Sequence, residues 1–162
     1  MDKAINVNQA IKVSKKLRSE GKKIVLAGGV FDILHIGHVK FLKKAKDKGD
    51  CLFVLVESDG NVKRIKGKTR PINNQKNRAV ILSSLASVDY VVILPNLKTD
   101  TEYDKIVTQI RPEIIATTAK DPNILHKKRQ ANQIKGKVVN VTARISNHST
   151  TKLAKLINQD VL

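Results

Sequence analysis

The chain has 162 residues, of which 41% are apolar, so it can bury one sizeable core and is too short for a second independent one. Aromatic residues make up only 3%, and the core must therefore come from isoleucine, valine, leucine and alanine, which suits buried parallel strands. The formal charge of +17 attracts phosphates, nucleotides, nucleic acid or an acidic membrane surface, and charge alone does not choose among them.

The single cysteine and the polar N-terminus exclude several protein classes. Cys51 opens an apolar run, so we expect a small core residue, and one cysteine allows neither an intrachain disulfide nor a cysteine zinc site. Residues 1–6 contain no apolar signal core, and no apolar stretch approaches the roughly 20 residues that span a bilayer. We therefore expect a soluble, cytoplasmic protein with no membrane partner.

Helical and strand patterns alternate along the chain. A leading helix at 8–20, which Gly21 ends, is followed by a second at 37–48, which Gly49 closes at its C′ position. The strands are predicted at residues 23–27, 51–56, 90–94, 113–116 and 137–141. The remaining helices are predicted at 74–85, 101–110, 123–133 and from Ser149 onward.

This alternation predicts an α/β fold. We expect a single Rossmann-like domain over residues 1–162, with a leading helix in 1–22 and the core in 23–162. Its sheet should be parallel and five-stranded, with helices on both faces and right-handed crossovers. Residues 58–74 are the least regular stretch, rich in lysine, arginine and glycine, and loops of this length in compact domains are often functional.

The end of the first predicted strand carries the most unusual residues of the chain. A double glycine at 28–29 is followed by Asp32 and by the tetrad His-Ile-Gly-His at 35–38, where a helix starts. In an open parallel sheet, ligands bind at the carboxyl ends of the strands, and helix N-termini there offer free N–H groups and partial positive charge to phosphate. We therefore expect the chemistry at this turn.

The two histidines of the tetrad suit phosphoryl or nucleotidyl transfer. His35 and His38 are three apart across a helix start and can point to the same side, and Gly37 leaves room for a phosphate near the backbone. In such reactions the enzyme mainly positions groups and neutralises charge that develops on oxygens.

Two other interpretations of the tetrad are a capped helix and a metal pair. The preceding strand, the double glycine and the following helix together favour the nucleotide site. A zinc site has less support, because only His126 and His148 remain as histidine partners and neither has compact ligand spacing.

Several ordered motifs carry a resemblance to a known family. They lie at residues 17–23, 28–38, 70–73, 78, 88–92 and 149–151. On these motifs the chain resembles the HxGH cytidylyltransferase-like nucleotidyltransferases, and within them it is most similar to the adenylyltransferase domain of ADP-heptose synthase. The resemblance covers nearly the whole chain.

The resemblance implies a direct transfer reaction at the histidines. His35 and His38 would hold a nucleoside triphosphate and stabilise the transition state, while an acceptor phosphate attacks the α-phosphate in line and pyrophosphate leaves without a covalent intermediate. Lys66 would be the main phosphate ligand and Lys63 the next, both in a basic loop at 62–71 that can close over anions and order on binding. Each lysine could instead simply be solvated.

The resemblance also implies further contacts. Nucleotide-binding positions would be Gly28, Gly29, Val30, Phe31, Asp32, Gly37, Ser149, Thr150 and Thr151. Phosphate or acceptor contacts would come from Lys63, Arg70, Arg78 and Arg144. Asp32 would lie beside Mg²⁺ or another divalent cation, although an aspartate there could also cap the turn.

The chain also departs from the heptose enzymes. Close relatives carry Lys-Gly-Gly/Ala-Asp-Tyr after the fourth strand, where this chain has Ala-Thr-Thr-Ala-Lys-Asp-Pro at 116–122. Many relatives also carry a sugar kinase domain, so a separate kinase would supply the acceptor here, or the acceptor is not a heptose.

The predicted function is transfer of AMP from ATP to a sugar phosphate such as heptose 1-phosphate by an enzyme expected to be a homodimer. The alternative is a CTP-dependent cytidylyltransferase for glycerol 3-phosphate or a related phosphoalcohol. A basic nucleic-acid-binding module ranks below both, because the basic residues are spread over many segments and aromatic stacking positions are few.

Overall fold

A computed structural model describes residues 3–143 of the chain. The strands are β1 Ala4–Asn6, β2 Ile24–Gly29, β3 Cys51–Val56, β4 Tyr90–Ile93, β5 Ile114–Thr118 and β6 Lys137–Thr142. The helices are α1 Val7–Ser19, α2 Ile36–Lys46, α3 Asp59–Lys66, α4 Gln75–Ser83, α5 Asp100–Ile110 and α6 Ile124–Ile134. No helix within residues 3–143 has both the length and the apolar character needed to cross a membrane.

The strands form one parallel sheet in the order β1-β4-β3-β2-β5-β6. From β2 the chain builds outward through β3 to β4 on one side, and then returns to place β5 and β6 on the other side. The direction of building therefore reverses between β2 and β5, which is where open α/β sheets leave a crevice for ligands. The predicted α/β class and the parallel sheet are confirmed.

The sheet has six strands, not the five that were predicted. The additional strand, β1, has three residues and pairs with β4, with Ile5 opposite Val92. A three-residue segment has no measurable periodicity, and its hydrogen-bonding partner lies far along the chain, so local sequence carries no signal for it. Asn6 then caps α1 in a reciprocal capping box with Gln9.

The core lies on both faces of the sheet, and β3 shows why. Its alternate residues Cys51, Phe53 and Leu55 join the cluster beneath α1, α5 and α6, while the residues between them join the cluster beneath α2 and α4. A strand covered on both faces needs no polar alternation, and β3 is buried along its whole length. Helices on both faces are therefore confirmed.

Two glycines that were predicted to end helices behave differently. Gly21 follows the C-cap of α1 with a φ of 71°, a backbone conformation that glycine adopts without steric cost. In contrast, α2 ends at Lys46 with Asp47 as its C-cap, so the prediction that Gly49 is the C′ residue was wrong. A Cβ on Gly49 would approach a Val25 methyl carbon to 2.7 Å, so this glycine permits close packing.

The stretch predicted to be irregular at 58–74 contains α3. Ser58 caps this helix by accepting a hydrogen bond from the Asn61 N–H. Three basic residues lie in its last turn, where their positive charge interacts favourably with the negative end of the helix dipole. The helix has only eight residues and buries only Asn61 and Val62, which is too few positions to show a helical period. The closing helix predicted from Ser149 lies outside the described residues.

Candidate active site

The two histidines of the tetrad lie together at the N-terminus of α2. His35 is the N-cap, with extended backbone, and its Nδ1 accepts a hydrogen bond of 3.1 Å from the Gly37 N–H. The His35 and His38 rings stack with centroids 3.8 Å apart, and Phe31 lies edge-on to His38 at 5.2 Å. The cap explains why the helix begins here, and the helix places both rings at the carboxyl end of β2.

His38 is electrically neutral near pH 7. Burial lowers the pKa of His38 to about 4, and the neighbouring His35 adds to the effect by charge repulsion. Its Nδ1 is buried and has no hydrogen-bond partner among the residues that the structure describes. A buried ring nitrogen without a partner is costly, so a ligand that supplied one would gain binding energy.

Asp32 is buried, and both of its carboxylate oxygens accept hydrogen bonds from protein groups. Its side chain is fully buried, Oδ1 accepts from the N–H groups of Ile72 and Asn73 at 2.9 Å, and Oδ2 accepts from Arg70 Nε at 2.6 Å. Burial alone would raise the pKa of Asp32, but these donors outweigh it and hold the pKa below its ordinary value. Asp32 is thus a fully bonded carboxylate.

A divalent cation does not fit at Asp32 as the structure places it. Both carboxylate oxygens are already hydrogen-bonded, and Mg²⁺ needs open oxygen ligands in octahedral geometry. Within residues 3–143 there is no group of three or more histidine, cysteine, aspartate or glutamate side chains that could hold a metal. The prediction of Asp32 as a magnesium ligand therefore has no support from the geometry, because burial gives this carboxylate other partners.

Arg78 was predicted to contact phosphate or acceptor, and the structure buries it beneath the turn after β2. It is completely buried, and its guanidinium donates to the carbonyls of Asn73, Val30 and Glu57 and to Asp59 Oδ1 at 2.6 to 2.9 Å. A guanidinium enclosed by protein acceptors has no face left for a phosphate. Sequence cannot distinguish such an arginine from a surface one, because its partners come from three separate segments.

The glycine turn packs against its own aromatic residue. Phe31 is 5% exposed with a φ of 50°, and a Cβ on Gly29 would lie only 3.0 Å from its ring. Gly28 is exposed at the strand end, Gly37 is half-buried, and the Val30 carbonyl accepts from Arg78. Any contact of these residues with a nucleotide would therefore involve backbone groups, as a glycine turn allows.

The predicted lysines lie on a helix instead of a loop. Lys63 and Lys66 are exposed in the last turn of α3, three residues apart, and neither forms an ion pair with another described residue. This helix follows β3, which is next to β2 in the sheet. Arg70, in the segment after α3, is brought directly to Asp32.

Four of the predicted residues, Arg144, Ser149, Thr150 and Thr151, lie outside the described residues.

A polar group at the end of β5 was not among the predicted site residues. Thr117 is 1% exposed and donates to Asp121 Oδ2 at 2.6 Å, and Lys127 donates to the same oxygen at 2.7 Å. Burial alone would raise the pKa of Asp121, but Lys127 and Thr117 hold it below its ordinary value. The available signal was the Asp-Pro pair after the predicted strand, which marks a turn at the carboxyl edge beside β2.

Curated relatives match this chain closely over part of their length. The proteins described as bifunctional protein HldE from Wolinella succinogenes and Nitratiruptor sp. are 49% and 52% identical to it over 104 and 103 residues. The aligned part covers 64% of this chain and 21% of each relative. The chain thus spans about a fifth of the length of the curated relatives it matches.

Two solved structures share the architecture. A lipopolysaccharide core biosynthesis protein from Thermoplasma volcanium superposes with a TM-score of 0.59 and 31% identity, covering 80% of this chain and 100% of that one. A pantoate-beta-alanine ligase from Francisella tularensis gives a TM-score of 0.63 at 18% identity, over 96% of this chain and 76% of that one, and indicates the fold alone.

The strongest comparison is with a family sequence profile. The profile described as cytidylyltransferase-like matches residues 26–156, a range that includes the glycine turn, both histidines of the tetrad and α3. With 31% identity to a structure that the chain covers completely, this match shows that the chain belongs to the cytidylyltransferase-like family.

Proposed function

We propose that the protein is a nucleotidyltransferase that joins a nucleoside monophosphate to a phosphorylated small molecule. The observation that supports this best is the stacked pair of His35 and His38 at the N-terminus of α2, beside the point where the strand order of the sheet reverses. A neutral imidazole can donate to a phosphate oxygen, and the partial positive charge at a helix start attracts negative charge. Membership of the cytidylyltransferase-like family supports the same reaction class.

The proposed reaction is an in-line displacement at phosphorus. An oxygen of the acceptor's phosphate forms a new bond to the α-phosphorus of the triphosphate, and the bond from that phosphorus to the bridging oxygen of pyrophosphate breaks. Negative charge increases on the departing oxygen and on the α-phosphate oxygens. His35, His38 and the start of α2 would be the donors that stabilise this charge.

The proposed donor is ATP and the proposed acceptor a sugar phosphate such as heptose 1-phosphate. Both follow from the resemblance of the motifs to the adenylyltransferase domain, and the Thermoplasma relative, described as a lipopolysaccharide core biosynthesis protein, supports a sugar acceptor. For a heptose acceptor, a separate kinase would supply the phosphate. Mg²⁺ would enter with the triphosphate, because this ion is usually held by substrate phosphates and only one or two protein ligands.

The first test is pyrophosphate release by the purified protein with Mg²⁺, using ATP or CTP with heptose, glycerol and ribitol phosphates. We expect release with ATP and a sugar phosphate. Release with CTP and glycerol 3-phosphate would replace the proposed substrates and keep the reaction class. No release with any pair, while nucleotide still binds, would contradict the proposal.

The histidine pair is tested by His38→Ala. We expect kcat to fall by about 10² to 10³-fold, the usual effect of losing one transition-state donor. The far-UV circular dichroism spectrum should be unchanged, because the substitution leaves the fold intact. The matched control is His126→Ala on α6, whose ring lies beside Asp100 and outside the tetrad. Equal activity of the His38 variant and the control would remove His38 from the mechanism.

The lysines of α3 are tested by Lys66→Ala. An exposed cation that contacts substrate phosphate should, when removed, raise KM by about tenfold with a smaller change in kcat. Lys105→Ala, an exposed lysine on α5, is the control for the loss of one positive charge. Identical KM values for the two variants would show that Lys66 makes no specific contact.

A further inference from the structure

The segment after α3 is attached to the turn after β2 by Asp32. The N–H groups of Ile72 and Asn73 each donate to Oδ1 at 2.9 Å, and Arg70 Nε donates to Oδ2 at 2.6 Å. The Asn73 side-chain amide also donates to the backbone carbonyl of Asp32 at 2.8 Å. Every one of these bonds joins residues 38 to 41 positions apart in the chain.

Arg78 binds the same segment through the backbone carbonyl of Asn73, whereas Asp32 binds the Asn73 N–H. Its Nε donates to the Asn73 carbonyl at 2.9 Å, and its Nη1 donates to the Val30 carbonyl at 2.6 Å. Asn73 is thus bound by its N–H to Asp32 and by its C=O to Arg78. The remaining Nη2 donates to the carbonyl of Glu57, directly after β3, and to Oδ1 of Asp59, the first residue of α3.

We propose that Asp32 and Arg78 are positioning residues that clamp residues 70–73 onto the end of β2 before any ligand binds, and that Asp32 does not ligate a metal. The clamp aligns Arg70, because Asp32 holds the Nε of its guanidinium and so fixes the direction of the two Nη groups, which would be the donors to an incoming phosphate. A guanidinium fixed in this way loses little rotamer freedom when it meets an anion. The two ionic residues predicted as ligands thus form the base that orients Arg70.

The placement explains why charged groups are buried here at all. A buried carboxylate or guanidinium is tolerated only when its hydrogen bonds are satisfied, and removal of one partner leaves an uncompensated charge. Asp32 and Arg78 are 1% and 0% exposed, and every partner named above is a backbone group, Arg70, Asn73 or Asp59. The arrangement is complete without a cation or a nucleotide.

The first experiment needs only the wild-type protein. Amide hydrogen exchange at Ile72 and Asn73, followed by NMR without nucleotide or metal, should be at least 100-fold slower than in an unstructured peptide, because both N–H groups are bonded to a buried carboxylate. Exchange at the unstructured rate that slows only when ATP and Mg²⁺ are added would overturn the proposal. This measurement does not depend on the proposed function or on the folding of any variant.

The second experiment uses Mn²⁺ alone as a probe and EPR as the readout. Wild type and Asp32→Asn should bind Mn²⁺ equally in the absence of nucleotide, or not at all. Tight binding by wild type that Asp32→Asn abolishes would overturn the proposal. Asp47→Asn, which removes an exposed carboxylate at the end of α2, controls for the change in net charge.

The third experiment separates positioning from simple stability, and it rests on the proposed function. If Asp32 acts through Arg70, then Asp32→Asn and Arg70→Gln should each raise the KM for the phosphorylated acceptor by about tenfold, and the double variant should do no worse than either. A double variant whose KM rises by the product of the two effects would show that the residues act independently. If Asp32→Asn does not fold, the hydrogen-exchange measurement on the wild-type protein still shows whether residues 70–73 are held in place before any ligand binds.

Discussion

Single residues at this site are governed by burial more than by residue type. His38 is a histidine whose surroundings keep it neutral, because burial and His35 both oppose its protonation. Asp32 and Arg78 are charged residues whose charges face protein groups and not solvent. The same three residue types on an open surface would behave as a titrating base, a free carboxylate and a free cation.

The lowered pKa of His38 makes a prediction about stability. Its pKa is about 4 in the folded protein against an ordinary 6.5, so between these values the unfolded chain binds more protons. The resulting stabilisation of the folded state is complete above pH 6.5, and as pH falls to 4 the free energy of unfolding decreases by up to about 3 kcal/mol. We expect urea unfolding at several pH values to show this decrease in the free energy of unfolding for wild type, and a much smaller decrease for His38→Asn.

The control for this series is His126→Asn, which removes a histidine from the surface of α6. It should lose stability with acid in the same way as wild type. Asp32 does not interfere, because its pKa lies below 3.8 and its contribution is lost only at lower pH. Parallel curves for wild type and His38→Asn would show that His38 is not held neutral by the fold.

At the scale of elements, short segments carry the parts of the site that periodicity does not reveal. Part of the predicted basic loop is helix α3, which carries Lys63 and Lys66 in its last turn. Its cap, Ser58, is 7% exposed, accepts from the Asn61 N–H at 3.1 Å and donates to Asn96 at 3.0 Å, so the helix start is anchored to the segment after β4. The start of α3 is therefore held by tertiary contacts as well as by its cap.

Removal of this cap tests whether α3 matters to the site. Ser58→Ala should lower the free energy of unfolding by about 1 kcal/mol. It should also raise the KM for a phosphorylated substrate, because the helix that positions Lys63 and Lys66 is destabilised. Thr99→Ala removes the comparable cap of α5, which carries no predicted site residue, and should lower stability alone. An equal KM in the two variants would mean that α3 serves stability only.

At the scale of the molecule, the sheet order and the net charge act together. The strand order reverses beside β2, where open α/β sheets bind their ligands, and the chain as a whole carries a formal charge of +17, which attracts anions. Because the charge comes from many segments, the field does not depend on any single lysine. Its contribution should therefore be to the encounter with a polyanion and not to the chemical step.

This makes a prediction about salt. Between about 50 and 500 mM NaCl the Debye length shortens severalfold, so kcat/KM for the triphosphate should fall by at least about fivefold while kcat at saturation changes little. Steady-state kinetics at several salt concentrations would measure both. A kcat/KM that does not respond to salt would show that the net charge has no part in nucleotide capture.

The sequence by itself determined the alternation of strands and helices, the parallel sheet and the position of the histidine pair. These features are local: an apolar run, a glycine turn and a helix start lie within about a dozen residues of each other, and their patterns follow from backbone geometry. The tertiary structure alone decided the sixth strand and the hydrogen-bond partners of Asp32, Arg78 and Lys127. Each of these depends on which distant segment lies alongside, as Asp32 and Asn73 do across 41 positions, and burial by a distant segment is what turns a charged residue from a ligand into a support.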